Sequence, residues 1–338
     1  MNSIVLSVVV PVYNGQDYVK NILNDLHSQS LETVEFILVD DGSIDRTAEI
    51  VQKFIDNTND NRFKYLYQTN NGVSSARNFG INNAIGKYLL FIDADDSIEN
   101  DMCFSYLQKI IKNRTDIEFF PFKTVKKVHY PTNIPPSFSL VGRQLDYGKF
   151  ASSSTLSNSQ ILNLIFDYRI QGYPFGYISK RSLWSNVKFD MDISLAEDLL
   201  ALVQILVCNG QLKLHINKIG KYLYIMRENS ALHTTTSTKN KQILEVSKKI
   251  VQICEKNGYD KRHAHNLVYG HYFDFIKQAV TTQDSAYYSE LRGKIISEFW
   301  LTKMPIKSRI KRSILLILCI PNTMSLYKYV LNLSKRKN

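Results

Sequence analysis

Apolar and polar positions fall into alternating blocks along the first hundred residues. Runs at 7–10, 34–39, 63–67 and 88–92 are rich in Val, Ile, Leu, Phe and Tyr; between them, at 17–28, 45–54 and 74–84, apolar positions recur at helical spacing. Strand followed by helix, repeated, predicts a parallel sheet covered by helices. Unbroken β-branched and aromatic runs such as Tyr88-Leu89-Leu90-Phe91-Ile92 predict strands buried on both faces.

The rhythm breaks after residue 120. Residues 121–158 carry Pro131, Pro135 and Pro136 among several serines, which predicts an irregular insertion. Helical spacing returns at 160–168, 196–207 and 240–279, so the last third is expected to be helical.

Composition changes this picture little: 44% of the 338 residues are hydrophobic, as in an ordinary globular chain. Charge changes it more. The net charge of +11 suggests a polyanion partner until it is located, because nine Lys or Arg and no acid fall within 303–338, leaving 33 basic against 31 acidic residues elsewhere. A general nucleic-acid-binding body is therefore not expected. In the tail, Lys311 and Arg312 precede an apolar run at 314–320, and Lys335-Arg336-Lys337 follow. That run is too short to cross a bilayer and predicts a helix lying at an anionic membrane surface.

Cys103, Cys208, Cys254 and Cys319 are scattered and form no C-x-x-C pair, which argues against a disulfide framework or zinc site and fits a reducing cytoplasm. The first apolar stretch, 4–12, is interrupted by Ser7 and Pro11 and reads as a strand rather than a secretory or spanning segment.

Three predicted strands run directly into polar residues: Pro11-Val12-Tyr13-Asn14-Gly15, Asp40-Asp41-Gly42-Ser43 and Asp93-Ala94-Asp95-Asp96. Open α/β sheets bind ligands beyond the carboxyl ends of their strands, so these turns are expected to converge on one site. Two acidic turns repel a bare phosphate but suit one bridged by a divalent cation. Taken singly, each is equally a helix cap, with Asp45 serving Thr47 and Asp96 serving a helix begun near Ser97.

Taken together, the motifs resemble glycosyltransferase family 2 and its GT-A fold over roughly residues 4–110. The matching pieces are Val9-Val10-Pro11-Val12-Tyr13-Asn14, Ile37-Leu38-Val39-Asp40-Asp41-Gly42-Ser43, Asn71-Gly72-Val73-Ser74-Ser75-Ala76-Arg77-Asn78 and Phe91-Ile92-Asp93-Ala94-Asp95-Asp96. The resemblance implies that Pro11 and Tyr13 line a base pocket, Asp41 accepts a hydrogen bond from the nucleobase, and Arg77 helps hold the nucleotide. It also implies that Asp93 lies near the ribose and that Asp95 ligates Mg²⁺ or Mn²⁺. A carboxylate facing an imide N–H selects uridine, since cytidine lacks that donor.

Leu195-Ala196-Glu197-Asp198-Leu199-Leu200 resembles the family's Glu-Asp motif, in which Asp198 is the catalytic base. Adjacent acids on a helix point about 100° apart, so Glu197 is left a supporting role. Ala196 stands where many relatives carry glycine, a change of one methyl. Arg227, after Tyr222-Leu223-Tyr224, resembles a segment near the diphosphate or acceptor; like Asp96, it is assigned support. The Gln-x-x-Arg-Trp element of processive relatives is missing, which implies transfer of one sugar per encounter.

The expected organisation is a nucleotide-sugar lobe at 1–110, an acceptor and catalytic lobe at 111–230, and a helical region at 231–338 ending in the basic tail. The expected activity is inverting, metal-dependent transfer from a nucleoside-diphosphate sugar, UDP above all, to a glycan or lipid-linked acceptor. Bacterial surface polysaccharide synthesis at the inner face of the plasma membrane is the expected setting. A nucleotidyltransferase would need a Gly-rich basic loop after the first strand, and Tyr13-Asn14-Gly15-Gln16-Asp17 is not one. A dehydrogenase would need G-x-G-x-x-G there. A non-catalytic module that kept the fold is opposed by the joint presence of Asp41, Asp93, Asp95 and Asp198.

Overall fold

All seven residues of β1 (Leu6–Val12) are buried, as are all seven of β2 (Val34–Asp40). Strands covered on both sides need an apolar run without alternation, and Val8-Val9-Val10 and Phe36-Ile37-Leu38-Val39 supply it. In the computed structural model, which describes residues 3–128, 137–140, 147–151, 155–227, 237–282 and 284–298, these strands centre a mixed α/β fold.

In chain order the first elements are β1, α1 (Val19–His27), β2, α2 (Thr47–Thr58), β3 (Phe63–Tyr67), α3 (Gly72–Asn83) and β4 (Tyr88–Phe91). There follow β5 (Ser97–Ile98), α4 (Met102–Asn113), β6 (Ile117–Phe119), β7 (Phe122–Val128), β8 (Ser137–Leu140) and α5 (Asn158–Phe166). Next come β9 (Tyr177–Lys180), α6 (Glu197–Cys208), β10 (Leu214–Ile216), β11 (Tyr222–Ile225), α7 (Ser237–Lys256), α8 (Lys261–Thr282) and α9 (Ser285–Glu298).

A seven-stranded sheet has the order β10-β6-β9-β4-β1-β2-β3, parallel except for β9, which runs against both β4 and β6. Chain order reverses between β4 and β1, and the crevice beyond that reversal is where such sheets take ligands. The β1–β4 ladder ends at Val9 and Phe91. Pro11, which has no N–H, therefore sits in a central strand in register with Val39 and disrupts no pairing to β4.

The two sheet faces are filled differently. Val8, Val10 and Val12 join Ile22, Leu23 and Leu26 of α1 and Tyr106 of α4 in one apolar cluster. On the other face Val9 meets α3 so closely that a Cβ on Gly80 would lie 2.3 Å from the valine methyl, so this helix approach requires glycine. Each fully buried apolar side chain contributes about 1.5–3 kcal/mol.

A second sheet, β5-β11-β7-β8, occupies part of the region expected to be irregular. Local spacing concealed it because β11, a distant strand, pairs with both β5 and β7. No helix begins at Ser97: Ser97 and Ile98 pair with Leu223 and Tyr222. Pro131, Pro135 and Pro136 of the insertion and the basic tail at 303–338 lie outside the described residues.

Of the described residues, those up to 161 together with 169–227 form one compact unit, and 162–168 together with 237–298 form another. In the second unit the stretch expected to be helical at 240–279 is two helices, α7 and α8. Gly258, at φ +77°, ends the first, and the Tyr259 N–H donates to the Cys254 carbonyl at 2.9 Å. Val246, Ile250 and Cys254 of α7, Leu267 and Tyr272 of α8, and Leu291 and Ile295 of α9 are buried. Among the described residues no helix is long and apolar enough to cross a membrane.

Candidate active site

The loops beyond β1 and β2 are stitched together by side chain to backbone hydrogen bonds. Asn14 N–H donates to Ser43 Oγ (2.9 Å), Ile44 N–H to Asn14 Oδ1 (3.0 Å) and Gly15 N–H to Thr47 Oγ1 (2.7 Å). Asp45 accepts from the N–H of Thr47 at the start of α2, as a capping residue does. Gly42, at φ +75°, has no room for a Cβ, which would lie 2.6 Å from Asn70 N. The result is a fixed edge on which Tyr13 stands 46% exposed, while Pro11 is buried inside β1.

Asp41 is buried at the start of α3. Its Oδ1 accepts from Gln68 Nε2 (2.7 Å) and Asn71 N–H (2.9 Å), and its Oδ2 accepts from Gly72 N–H (2.8 Å). A carboxylate at free helix N–H groups is well placed electrostatically. Three of its four lone-pair positions are filled, leaving one on Oδ2.

The turn after β4 presents three acids in three environments. Asp93 Oδ1 accepts from Arg77 Nη2 (3.0 Å), and its side chain remains 27% exposed. Asp95 is the most open, its side chain 44% exposed, with Arg227 Nη1 3.7 Å from Oδ2 and Arg227 Nη2 donating to its carbonyl. Burial and the neighbouring Asp93 raise the Asp95 pKa, against the pull of Arg227. Asp96 is buried, accepts from Tyr222 Oη (2.6 Å) and Ile225 N–H (2.8 Å), and is raised well above the usual carboxylate range by burial, Asp95 and Asp93. Its place is to tie β11 to this turn; the helix it was expected to cap is absent there.

Arg77 does not face open space. Its guanidinium is buried, donates through Nη1 to Glu197 Oε1 (2.8 Å) and through Nη2 to Asp93, and lies over the Phe189 ring at 5.3 Å. Burial works against its charge, but Asp93, Glu197 and Asp198 more than offset that and raise its pKa. Arg77, which the resemblance implied helps hold the nucleotide, bridges two acidic motifs.

Glu197 and Asp198 open α6, with Glu197 turned inward to Arg77 and Asp198 half-buried. Burial and the Glu197 charge push the Asp198 carboxyl up to about 7, Arg77 pulling the other way. Ala196, just before them, has φ +63°. A glycine would adopt this left-handed backbone freely, so the methyl here is a matter of strain rather than of size.

Sequence reasoning missed Tyr222, whose hydroxyl donates to Asp96 and accepts from Asp93 N–H (3.2 Å), and Gln68, which holds Asp41. Gln68 stands just past β3, and a polar residue beyond the third parallel strand was the available signal. For Tyr222 there was none, because β11 reaches the turn only through sheet pairing. Arg227 does reach the site, its guanidinium 4.4 Å from the Tyr18 ring centroid, whereas Glu228, Asn229 and Ser230 lie outside the described residues.

The family model described as glycosyl transferase family 2 matches residues 7–157. This stretch of the chain belongs to that family. The chain is 26% identical over 295 residues to the glycosyltransferase GlyA of Streptococcus pneumoniae serotype 4 (strain ATCC BAA-334 / TIGR4), covering 86% of this chain and 40% of that one. It is 27% identical over 259 residues to the minor teichoic acid biosynthesis protein GgaB of Bacillus subtilis (strain 168), covering 74% of this chain and 27% of that one. The chain spans about half the length of the curated relatives it matches.

In fold, the chain is similar to S. aureus TarS in complex with UDP-GlcNAc, with a TM-score of 0.67 and 20% identity over 99% of this chain and 92% of that one. The likeness is to a GT-A protein whose large sheet is mostly parallel and flanked by helices. The Asp93 turn of the family 2 domain and the Glu-Asp pair of α6, which follows it in sequence, meet at Arg77.

Proposed function

We propose that the chain is an inverting, metal-dependent glycosyltransferase that moves one sugar from a UDP-sugar to a hydroxyl of a glycan or lipid-linked acceptor. The observation that carries this reading is the Arg77 bridge, which fastens the Asp93 turn to the Glu197-Asp198 helix start and so brings a nucleotide-binding edge to an acid with pKa about 7. The bound UDP-GlcNAc of TarS and the teichoic acid role in GgaB's name support a UDP-sugar donor and surface-polymer assembly.

At the donor end, Tyr13 offers an open ring to the base, and the remaining lone pair of Asp41 Oδ2 accepts a uracil imide N–H. Asp95, with the second oxygen of Asp93, would hold Mg²⁺ or Mn²⁺. Among the described residues no three metal-binding side chains gather into a cage. A site of one or two carboxylates completed by diphosphate and water is nevertheless the habit of Mg²⁺, and hard carboxylate oxygens beside mutually repelling acids fit it. When bound, the ion supplies charge compensation on the departing diphosphate. Arg227 adds a second cation beside it.

At the acceptor end, Asp198 takes the proton of the attacking hydroxyl as that oxygen bonds to the anomeric carbon and the bond to the diphosphate oxygen breaks. Attack opposite the leaving group inverts the centre. A base with a pKa near working pH suits this transfer. Arg77 holds Glu197 and Asp93 so that Asp198 keeps its position. The basic residues of 303–338 would rest on anionic lipid at the inner face of the plasma membrane.

Calorimetric titration of UDP, with and without Mn²⁺, into the wild type and Asp95→Ala tests the donor site. Mn²⁺-dependent binding lost in the variant is expected. Failure of every nucleoside diphosphate to bind the wild type would overturn the reading.

A further inference from the structure

Between the Asp93 turn and the start of α6 runs a series of aromatic side chains that the roles above leave unused. Tyr222, whose hydroxyl serves Asp96 and Asp93 N–H, stacks on Phe175 with ring planes 2° apart and centroids 4.2 Å apart. Phe175 stacks in turn on Tyr173 at 5.2 Å. Phe122 stands edge-on to Tyr173 (5.8 Å), Phe175 (5.2 Å) and Tyr224 (6.2 Å). Tyr222 and Phe175 are buried, whereas Tyr173, Phe122 and Tyr224 remain half-exposed.

The far end of this series lies beside the base. A Cβ on Gly172 would come within 3.2 Å of Leu199 Cα, so the chain just before Tyr173 is pressed onto the residue next to Asp198. The Tyr173 phenol pKa is raised by burial first and then by the charge of Asp198, consistent with that closeness. No hydrogen-bond partner for the Tyr173 hydroxyl is found among the described residues. An aromatic ring held by stacking, with a free hydroxyl at its tip beside a base, is an apolar surface with one polar handle.

We propose that Tyr173, backed by Phe122 and Tyr224, is the acceptor subsite, and that it takes the flat C–H face of a pyranose ring while its hydroxyl bonds a neighbouring sugar hydroxyl. This inference deepens the transferase reading and rests on it. It commits the acceptor's reacting unit to a cyclic sugar rather than an open-chain polyol phosphate, which has no flat apolar face to lay on the ring. The fixed stack from Tyr222 to Tyr173 sets the distance between the bound sugar and the donor turn.

Saturation-transfer NMR on the full chain with UDP and Mn²⁺ tests it. The probes are the methyl β-pyranosides of glucose, galactose and their N-acetylamino analogues, with glycerol phosphate as the open-chain comparison. Transfer to pyranoside ring protons is expected in the wild type, cut about two- to fivefold in Tyr173→Phe, which loses the hydroxyl's bond, and at least about tenfold in Tyr173→Leu, which also loses the aromatic anchor. UDP binding by Tyr173→Leu shows that the variant is folded. No transfer to any pyranoside, stronger transfer to glycerol phosphate, or equal transfer in Tyr173→Leu would overturn the proposal. Because this readout needs no turnover, it fails separately from the transferase reading, which falls when UDP itself does not bind.

Discussion

Arg77 and Glu197, 120 residues apart in sequence, meet in a buried ion pair at 2.8 Å. The same guanidinium holds Asp93, so one side chain joins the two acidic motifs on which the proposed chemistry depends. Removing one member of a buried ion pair strands a charge and costs about 3–5 kcal/mol. Arg77→Met is expected to lower unfolding free energy by that amount in urea titrations, and Glu197→Gln by less. In a double-mutant cycle the two losses should fall short of additivity, as for groups in contact.

Asp198→Asn keeps the shape of the side chain and removes the proton acceptor. Turnover of a UDP-sugar should fall by about 10²–10⁴, the usual contribution of a general base. UDP affinity measured by calorimetry should stay within about twofold, because the loss is confined to the transition state. Near-normal turnover would take Asp198 out of this role.

The raised Asp198 pKa gives stability a definite pH dependence. Folded protein holds this proton up to about pH 7, whereas the unfolded chain releases it near the ordinary value of 3.8. Between those values the folded state binds more protons, so Asp198 makes stability fall as pH rises, with the full penalty present above about 7 and none below about 4. Asp198→Asn removes the penalty and should be more stable than wild type by about 1–3 kcal/mol at pH 8, with partial exposure reducing the full effect of the shift. That difference should vanish near pH 4 in thermal melts. Wild-type kcat/KM should rise through about pH 7 as the base is freed.

Ala196→Gly should stabilise the protein by about 0.5–1 kcal/mol, because the left-handed backbone costs alanine about 1–2 kcal/mol and glycine pays back part of the difference in chain entropy. Denaturant titration measures this. A loss of stability would mean that the Ala196 methyl packs favourably enough to outweigh the strain.

Much of the donor edge was legible before any coordinates. The runs at 7–10, 34–39, 63–67 and 88–92 became β1 to β4, and the polar residues after three of them stand at the strands' carboxyl ends, because a strand's burial and its exit from the sheet are both written locally in side-chain type. The second sheet was not legible. β7 reads as a loop near prolines until β11, from far along the chain, supplies its hydrogen bonds. Ala196 likewise looked like a trivial departure until its φ was known.

By itself, then, the sequence determined which acids and aromatics the chain carries and the order in which they leave the first strands, since both follow from side-chain chemistry and period over a few residues. The tertiary structure alone decided how each is used. It turned Arg77 inward to join two motifs, filled three of the four acceptor positions of Asp41 from Gln68, Asn71 and Gly72, assigned Asp96 to Tyr222, and set Tyr173 beside Asp198. These are contacts between residues distant in sequence, and burial, charge pairing and hydrogen-bond satisfaction exist only once the chain has closed on itself.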